Sequence, residues 1–484
     1  MFRPRILATT ALALLFASAS PTLAADASRL FVLTDIGNEP DDQMSLVRLL
    51  LYSNEIDIEG IGATTSVWQR DKVQPQLALD IIDAYGKVLP RLREHAKGWR
   101  DAEELRRIMY RGVPGYGLAA VDPGHPSEAA QALLAAAGRD DPRPLWIALW
   151  GGANTLADAL RNARTTLPPE KLDSLVRKLR VYSISDQDDA GAWVRREFPQ
   201  LFYIVTPSTQ DGADYARATW TGISGDRFYR NGAGADFTTV TNEWLEQNIR
   251  AKGPLGAHYL KYAFIMEGDT PSFLGLIPNG LQSGDHPNWG GWSGRYLLRQ
   301  PLGETRPIWT QGGDSFPRVT SADTVNGVTS DQASIWRWRT EFQNDFAARM
   351  DWTVKPFNAA NHPPQPVVNG ISGSKEMEID VSVGKPIELD ASASSDPDRN
   401  RLSFRWFQYD EAGYEGGNFG PAPLVIVGAN KARATVTATA LCRPNWLAVG
   451  ECPSRGVAHL ILAVTDRGKP ALTRYKRIIL RIGS

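Results

Sequence analysis

Residues that usually announce metal or redox chemistry are scarce in this chain: its 484 residues include 2 cysteines and 6 histidines. Both cysteines, Cys442 and Cys452, fall near the C-terminus in LCRPNWLAVGECP. Two ligands fall short of the four that a structural zinc site uses. In an oxidising compartment, with turn-forming Pro and Gly between them, the pair reads as a disulfide closing a loop. His95, His125, His258 and His286 are scattered, without an HExxH or similar spacing, which argues against a helix-borne catalytic zinc. No GxSxG elbow and no phosphate-cradling Gly-rich motif occurs, so serine-hydrolase and nucleoside-triphosphate chemistry are not expected. An excess of one charge is missing too: 53 Lys+Arg face 54 Asp+Glu, with no long run of either sign. That balance leaves no electrostatic footprint for nucleic acid and points to a small or uncharged partner.

A membrane-spanning run is also lacking. The opening MFRPRILATTALALLFASASPTLAADASRL has Arg3 and Arg5, an apolar stretch from Ile6 to Ala17, and small residues up to Ala24. The stretch is shorter than the ~20 residues a spanning helix needs, so residues 1–24 read as a secretory signal that is removed. The expected mature protein is periplasmic or secreted and leaves the membrane once the signal is cut.

With 42% hydrophobic residues over this length, more than one core is expected. From residue 29 to 355 apolar strands alternate with amphipathic helices, the pattern of a mostly parallel sheet flanked by helices. RLFVLTD is a first buried strand, QMSLVRLLLYSN a first helix, and VQPQLALDIIDAYG a second helix closed by its glycine. PLWIALWGGANTLADALRNA and HYLKYAFIMEGDTPSFLGLIPNG repeat the strand, turn, helix unit. Acidic clusters recur just after strand ends, where ligands bind in open α/β sheets. The Pro-rich residues 356–370 read as a linker. Short alternating strands over 371–484 then predict an all-β, immunoglobulin-like sandwich.

The most informative stretch is TDIGNEPDDQMSLVRLL, where Asp35, Glu39, Asp41 and Asp42 crowd the end of an apolar strand. Clustered carboxylates repel, and each has its pKa raised in a dry cavity. A hard cation with oxygen ligands, such as Ca²⁺, resolves the conflict. Helix capping by Asp41 and Asp42 is the alternative, but capping has no use for Asp35.

FVLTDIGNEPDDQMSLVRLL resembles the opening motif of inosine-uridine-type nucleoside hydrolases. LWIALWGGANTLADAL resembles that family's Gly-rich turn into a helix, and GDTPSFLGLI its late aspartate motif. The whole mature chain is similar to a bacterial family described as cellulose-binding proteins, with a nucleoside-hydrolase-like domain and a C-terminal immunoglobulin-like domain. The resemblance implies Ca²⁺ held by Asp35, Asp42, Asn154 through its carbonyl, and Asp269, with Asp35 activating water and Asp41 holding a sugar hydroxyl. Two departures shift the expected substrate away from nucleosides. Asp35 precedes the Asp-Asp pair by six and seven residues rather than four and five, an insertion that includes Glu39. Gly268 stands where the family's base-contacting histidine would precede Asp269.

A sugar-alcohol leaving group wants a general acid, for which Glu39, Glu267 and the acids of SDQDDAG (Asp186, Asp188, Asp189) are candidates. Asp186 and Asp188 are also candidate sugar contacts. Trp68, Trp150, Trp193, Trp289 and Trp292 lie near these loops and could stack on sugar faces; in GDHPNWGGWSGRY, Arg295 adds a hydrogen-bond donor. The expectation is an exported, calcium-dependent glycoside hydrolase with a carbohydrate substrate. Non-catalytic cellulose binding and periplasmic nucleoside hydrolysis are the alternatives, and self-association into a homo-oligomer is left open.

Overall fold

The structure, a computed structural model, describes residues 27–208, 214–224, 234–263, 265–312, 320–413, 419–443 and 451–484. The expected signal, residues 1–24, lies outside the described residues. No helix among the described residues is long and apolar enough to cross a membrane.

The first half is built on an eight-stranded sheet of order β3-β2-β1-β4-β5-β6-β8-β7. Its strands are β1 (Ser28–Thr34), β2 (Ile56–Ala63), β3 (Met109–Arg111), β4 (Leu145–Leu149), β5 (Leu179–Ser183), β6 (Phe202–Ile204), β7 (Leu297–Arg299) and β8 (Ile308–Thr310). All neighbours are parallel except the terminal pair β7 and β8. In β1, every residue after Ser28 is buried, as a strand covered on both faces requires. Helices α1 (Pro40–Leu50), α2 (Pro75–His95), α3 (Ala102–Arg107), α4 (Glu128–Ala137), α5 (Asn154–Thr166), α6 (Pro169–Lys178) and α7 (Ala190–Glu197) complete the layers. One core, around Val32, Leu46 and Ile82, fills one side of the sheet; Phe31, Leu133 and Leu156 belong to the other.

Two expected elements differ. The second helix does not end at Gly86 but runs on to His95, because Val88, Leu89 and Leu92 continue its buried stripe. Gly86 instead lets α3 approach: a Cβ there would lie 2.9 Å from the Ala102 Cβ. HYLKYAFIMEG forms no strand among its described residues, and the helix after it is a single turn, Pro271–Leu274.

Beyond a short hairpin, β9 (Asp323–Val325) with β10 (Val328–Ser330), and the helix Arg339–Trp352, the chain becomes all β. Strands β11 (Met377–Ser382), β12 (Ile387–Asp390), β13 (Ser403–Gln408), β14 (Leu424–Val427), β15 (Arg433–Ala438), β16 (Gly456–Thr465) and β17 (Thr473–Gly483) form two sheets. Their orders are β11-β17-β16-β13 and β12-β15-β14, antiparallel except β11 with β17. Trp406, Leu462, Val436 and Ile478 fill the space between them, as in an immunoglobulin-like sandwich. Cys442 and Cys452 are disulfide-bonded, with Cα atoms 5.8 Å apart.

The sandwich docks firmly on the α/β part. Trp338 meets Tyr409 and Tyr475 edge-on, at 5.8 and 5.4 Å. Arg477 donates to the carbonyls of Leu281 and Gly290 at 2.6 and 2.8 Å. Residues 356–370 are therefore no loose tether: His362 is buried between His95 and Asp398, 2.9 Å from each.

Candidate functional site

Chain connectivity brings the ends of β1, β2, β4 and β5 to one edge of the sheet. Thr64 N donates to Thr34 O, Gly152 N to Thr65 O and Val67 N to Gln187 O, at 2.7 to 2.8 Å. Asp35 follows β1 directly. Proline at the first position of α1 presets the helix and places Asp41 and Asp42 in its first turn. Asp269 arrives from the far end of the domain, just ahead of the helical turn Pro271–Leu274.

All four carboxylates are at most 8% exposed. Oxygens of Asp41, Asp42 and Asp269 lie within 4.8 Å of one another, the spread that one ion with Ca–O distances of about 2.4 Å spans. Asp35 adjoins this trio, touching the side chains of Asp42 and Ser66. The main influences on the four groups are burial, one another and Glu39, with no lysine or arginine of the described residues among them. Burial pushes Asp35 up to about 6; burial and the neighbouring carboxylates raise Asp41, Asp42 and Asp269 well above the ordinary range. Thr34 donates to Asp42, while Asp269 Oδ2 is buried without a hydrogen-bond partner. Hard oxygen donors, excess negative charge and an unsatisfied buried oxygen fit a divalent cation such as Ca²⁺.

Missing side chains help to shape this cluster. A Cβ on Gly151 would lie 2.8 Å from that of Asp35, and one on Gly268 would lie 2.8 Å from Asp41 Oδ2 and 3.1 Å from the Trp220 ring. A histidine at position 268 would thus displace a carboxylate of the cluster. Before Gly268, Glu267 occupies the left-handed region at φ 52°.

Several residues expected at the site belong elsewhere. Glu267 is fully buried, 2.6 Å from Arg48 Nε, and accepts from Tyr259 at 2.6 Å; an acid locked in this pair is not free to donate to a substrate. Arg195 grips Asp186 with two bonds of 2.8 and 2.9 Å. Asp188 accepts from the amides of Asn154 and Ala190 at 3.0 and 2.9 Å, and burial pushes it up to about 6. It braces the turn into α5 rather than facing a ligand. The Asn154 side chain donates to Thr65 Oγ1 and Gly115 O and accepts from Thr64, so only its backbone is left for a ligand role. Arg295 is paired with Asp323 at 2.9 Å, and fully buried Trp292 packs on Phe342. Trp289 stacks on His286 at 3.8 Å and meets His459 of the sandwich. The Gly-rich tryptophan stretch therefore builds the domain junction, not a sugar platform. Trp150 bonds Ser272, and Trp193 lies beneath Arg161.

Trp68 remains on the rim, 44% exposed and edge-on to Tyr215 at 6.4 Å. Glu39 is half-buried beside α1, and its charge acts on Asp41, Asp42 and Asp269. Tyr215, Trp220 and Gln69 also adjoin the cluster. None was foreseen: Tyr215 and Trp220 sit in DYARATWTGIS, which has neither periodicity nor an acidic motif to attract notice.

An open parallel sheet carrying a carboxylate cluster at its strand ends defines a nucleoside-hydrolase-like protein. The family model "Cellulose-binding Sde182, nucleoside hydrolase-like domain" matches residues 29–296 and "Cellulose-binding protein Sde0182, C-terminal domain" matches 386–482; the chain belongs to this cellulose-binding, nucleoside-hydrolase-like family. A solved structure from Saccharophagus degradans is similar along its whole length. Described as a nucleoside hydrolase-related hypothetical protein associated with carbohydrate metabolism, it shares 32% identity at a TM-score of 0.76, covering 94% of this chain and 100% of that one. A PKD domain from the KIAA 1837 protein (21% identity, 22% of this chain, 82% of that one, TM-score 0.15) is too distant to carry an argument. No curated protein matches the sequence.

Proposed function

We propose that the protein is an exported, calcium-dependent glycoside hydrolase acting on a poly- or oligosaccharide. The observation that carries this reading is the set of four buried carboxylates with no cationic side chain beside them among the described residues: oxygens of Asp41, Asp42 and Asp269 lie within 4.8 Å of one another, and Asp35 adjoins them. Bound there, Ca²⁺ would keep the carboxylates ionised, orient sugar hydroxyls and lower the pKa of a water. Asp42, Asp269 and the Asn154 carbonyl are its proposed ligands with Asp35, and Asp41 holds a hydroxyl. Asp35 takes a proton from the attacking water as its oxygen bonds to the anomeric carbon. The glycosidic C–O bond breaks through an oxocarbenium-like state. Glu39, half-buried beside the cluster and acting on it through its charge, is the proposed donor of the proton to the departing oxygen; Glu267 and Asp186 are held by arginines, and Asp188 and Asp189 accept from backbone amides.

The family's description and its carbohydrate-associated relative support a glycan ligand, and also favour a second reading, binding without cleavage. Nucleoside hydrolysis is disfavoured because Gly268 stands where a base-contacting histidine would, and a side chain there would first have to displace the Asp41 carboxylate, 2.8 Å from its Cβ. Sugar release from plant and bacterial glycans and nucleosides, in calcium buffer, tests the assignment. We expect a monosaccharide released by the wild type and not by Asp35→Asn. No release from any substrate, with equal glycan binding by both proteins, overturns catalysis and leaves a binding module.

A further inference from the structure

Trp68 is the only exposed tryptophan among the described residues, yet it is firmly held. The amides of Trp68 and Gln69 both donate to Ser66 Oγ at 3.1 Å, and Ser66 itself touches Asp35. Gln69 Nε2 donates to the Asp35 carbonyl at 3.0 Å, and Gln74 fixes Gln69 Oε1 at 2.6 Å. The preceding residue is tied to Gln187 by the bond from Val67 N. Tyr215, which supports the Trp68 ring edge-on, lies within electrostatic reach of Asp35 and Glu39. An exposed apolar ring has no stabilising reason to stay in water. One immobilised beside a buried cluster is organised in advance for a flat ligand, and so loses little freedom on binding.

Charge narrows the ligand further. Asp35, Asp41, Asp42, Asp269 and Glu39 outweigh one divalent cation. Among the described residues, the cation next to Trp68 is Arg70, which is turned onto the Tyr116 ring, 4.5 Å away, and donates to Val67 O. A carboxylate or phosphate entering here meets like charge at close range.

We propose that Trp68 is the leaving-group subsite of this centre, stacking the sugar next to the one held at the carboxylates, and that the centre selects neutral glycans with a flat C–H face over anionic ones. This rests on the carbohydrate reading above. Its test is titration of the mature protein in calcium buffer with cellohexaose and with an oligogalacturonide of equal length, by calorimetry and tryptophan fluorescence. Trp68→Ala is expected to weaken cellohexaose binding about tenfold or more, the factor that ~1.4 kcal/mol gives, with Trp68→Phe in between. Terbium luminescence should show unchanged cation affinity in both variants, and the oligogalacturonide should bind the wild type at least about tenfold more weakly than cellohexaose. Equal binding by wild type and Trp68→Ala, equal affinity for the two glycans, or no wild-type binding of cellohexaose overturns the subsite. Binding that depends on Trp68 without sugar release keeps Trp68 as a sugar-stacking site and sinks the catalytic reading together with the leaving-group assignment.

Discussion

Two sets of buried aspartates in this molecule have opposite electrostatic fates. Asp323 and Asp345, at the junction of the α/β part with the sandwich, are as buried as the cluster at the end of β1. Burial alone would raise their pKa, yet both are held below the usual range by paired cations. Asp323 lies 2.9 Å from Arg295 and 2.6 Å from Arg337, and accepts from Tyr409 at 2.6 Å. Asp345 lies 2.7 Å from Arg474 and 3.3 Å from Arg349. Asp41, Asp42 and Asp269 have the same chemistry and burial with no such partners among the described residues, and move upward. The difference sets two kinds of buried charge apart: one buried with its counter-ion joins two domains, whereas those buried with each other mark the candidate functional site.

The largest test of this contrast is Asp323→Asn. It leaves buried Arg295 without its carboxylate and Arg337 with only Glu411, 3.5 Å away, and should cost about 3–5 kcal/mol in urea unfolding; a loss below ~1 kcal/mol would mean that the junction charges are solvated rather than paired. Next comes the proposed cation. Calcium at about 100 times its Kd should stabilise the wild type by ~2.7 kcal/mol, and Asp269→Asn should abolish the increment. A wild type indifferent to calcium breaks the contrast from the other side.

Acid provides a smaller, more local probe. His459 is buried at the junction against Trp289 and within 2.8 Å of Arg477. Burial first, then Arg477, Arg481 and His286, hold its pKa well below the ordinary value. The unfolded chain therefore takes up this proton first. In saturating calcium, stability should be full above pH ~6.5 and fall below it by at most ~1.4 kcal/mol per pH unit, with a shallower slope in His459→Asn. The smallest effect is expected from Asp42→Asn in chelator at pH 7. The raised carboxylates ionise more readily in the unfolded chain, so removing one should make the cation-free fold more stable, although it destroys the seat. A less stable variant would show that Asp42 serves the fold through Thr34.

The sequence contrast between apolar strands and acidic loops made the parallel sheet and the acidic turn of Asp35, Asp41 and Asp42 legible, because strand ends and helix starts are local features; Asp269, which follows no strand among the described residues, was reached through the family resemblance. Partnership is not local. Nothing in EGDTPSF shows that Glu267 meets Arg48, 219 positions away, and nothing in SDQDDAG distinguishes Asp186, gripped by Arg195, from a ligand-facing acid. GDHPNWGGWSGRY reads like a sugar platform because small residues flank large rings, and that pattern equally suits a surface another domain will cover. The sandwich takes that surface, and the rim tyrosine and tryptophan at 215 and 220 come from a segment that has no pattern at all.

Gly151 touches Asp35 on one side, while Gly152 leaves only 2.5 Å between the place of its absent Cβ and Asp188 Oδ2 on the other. This pair is thus a shim of fixed thickness between two carboxylates, and Gly268 is a second shim under Asp41. One added methyl at any of the three would push the carboxylate it meets while leaving every acidic residue in the sequence unchanged. A relative that keeps all the aspartates but carries alanine at such a position would look intact by motif and be misaligned in space.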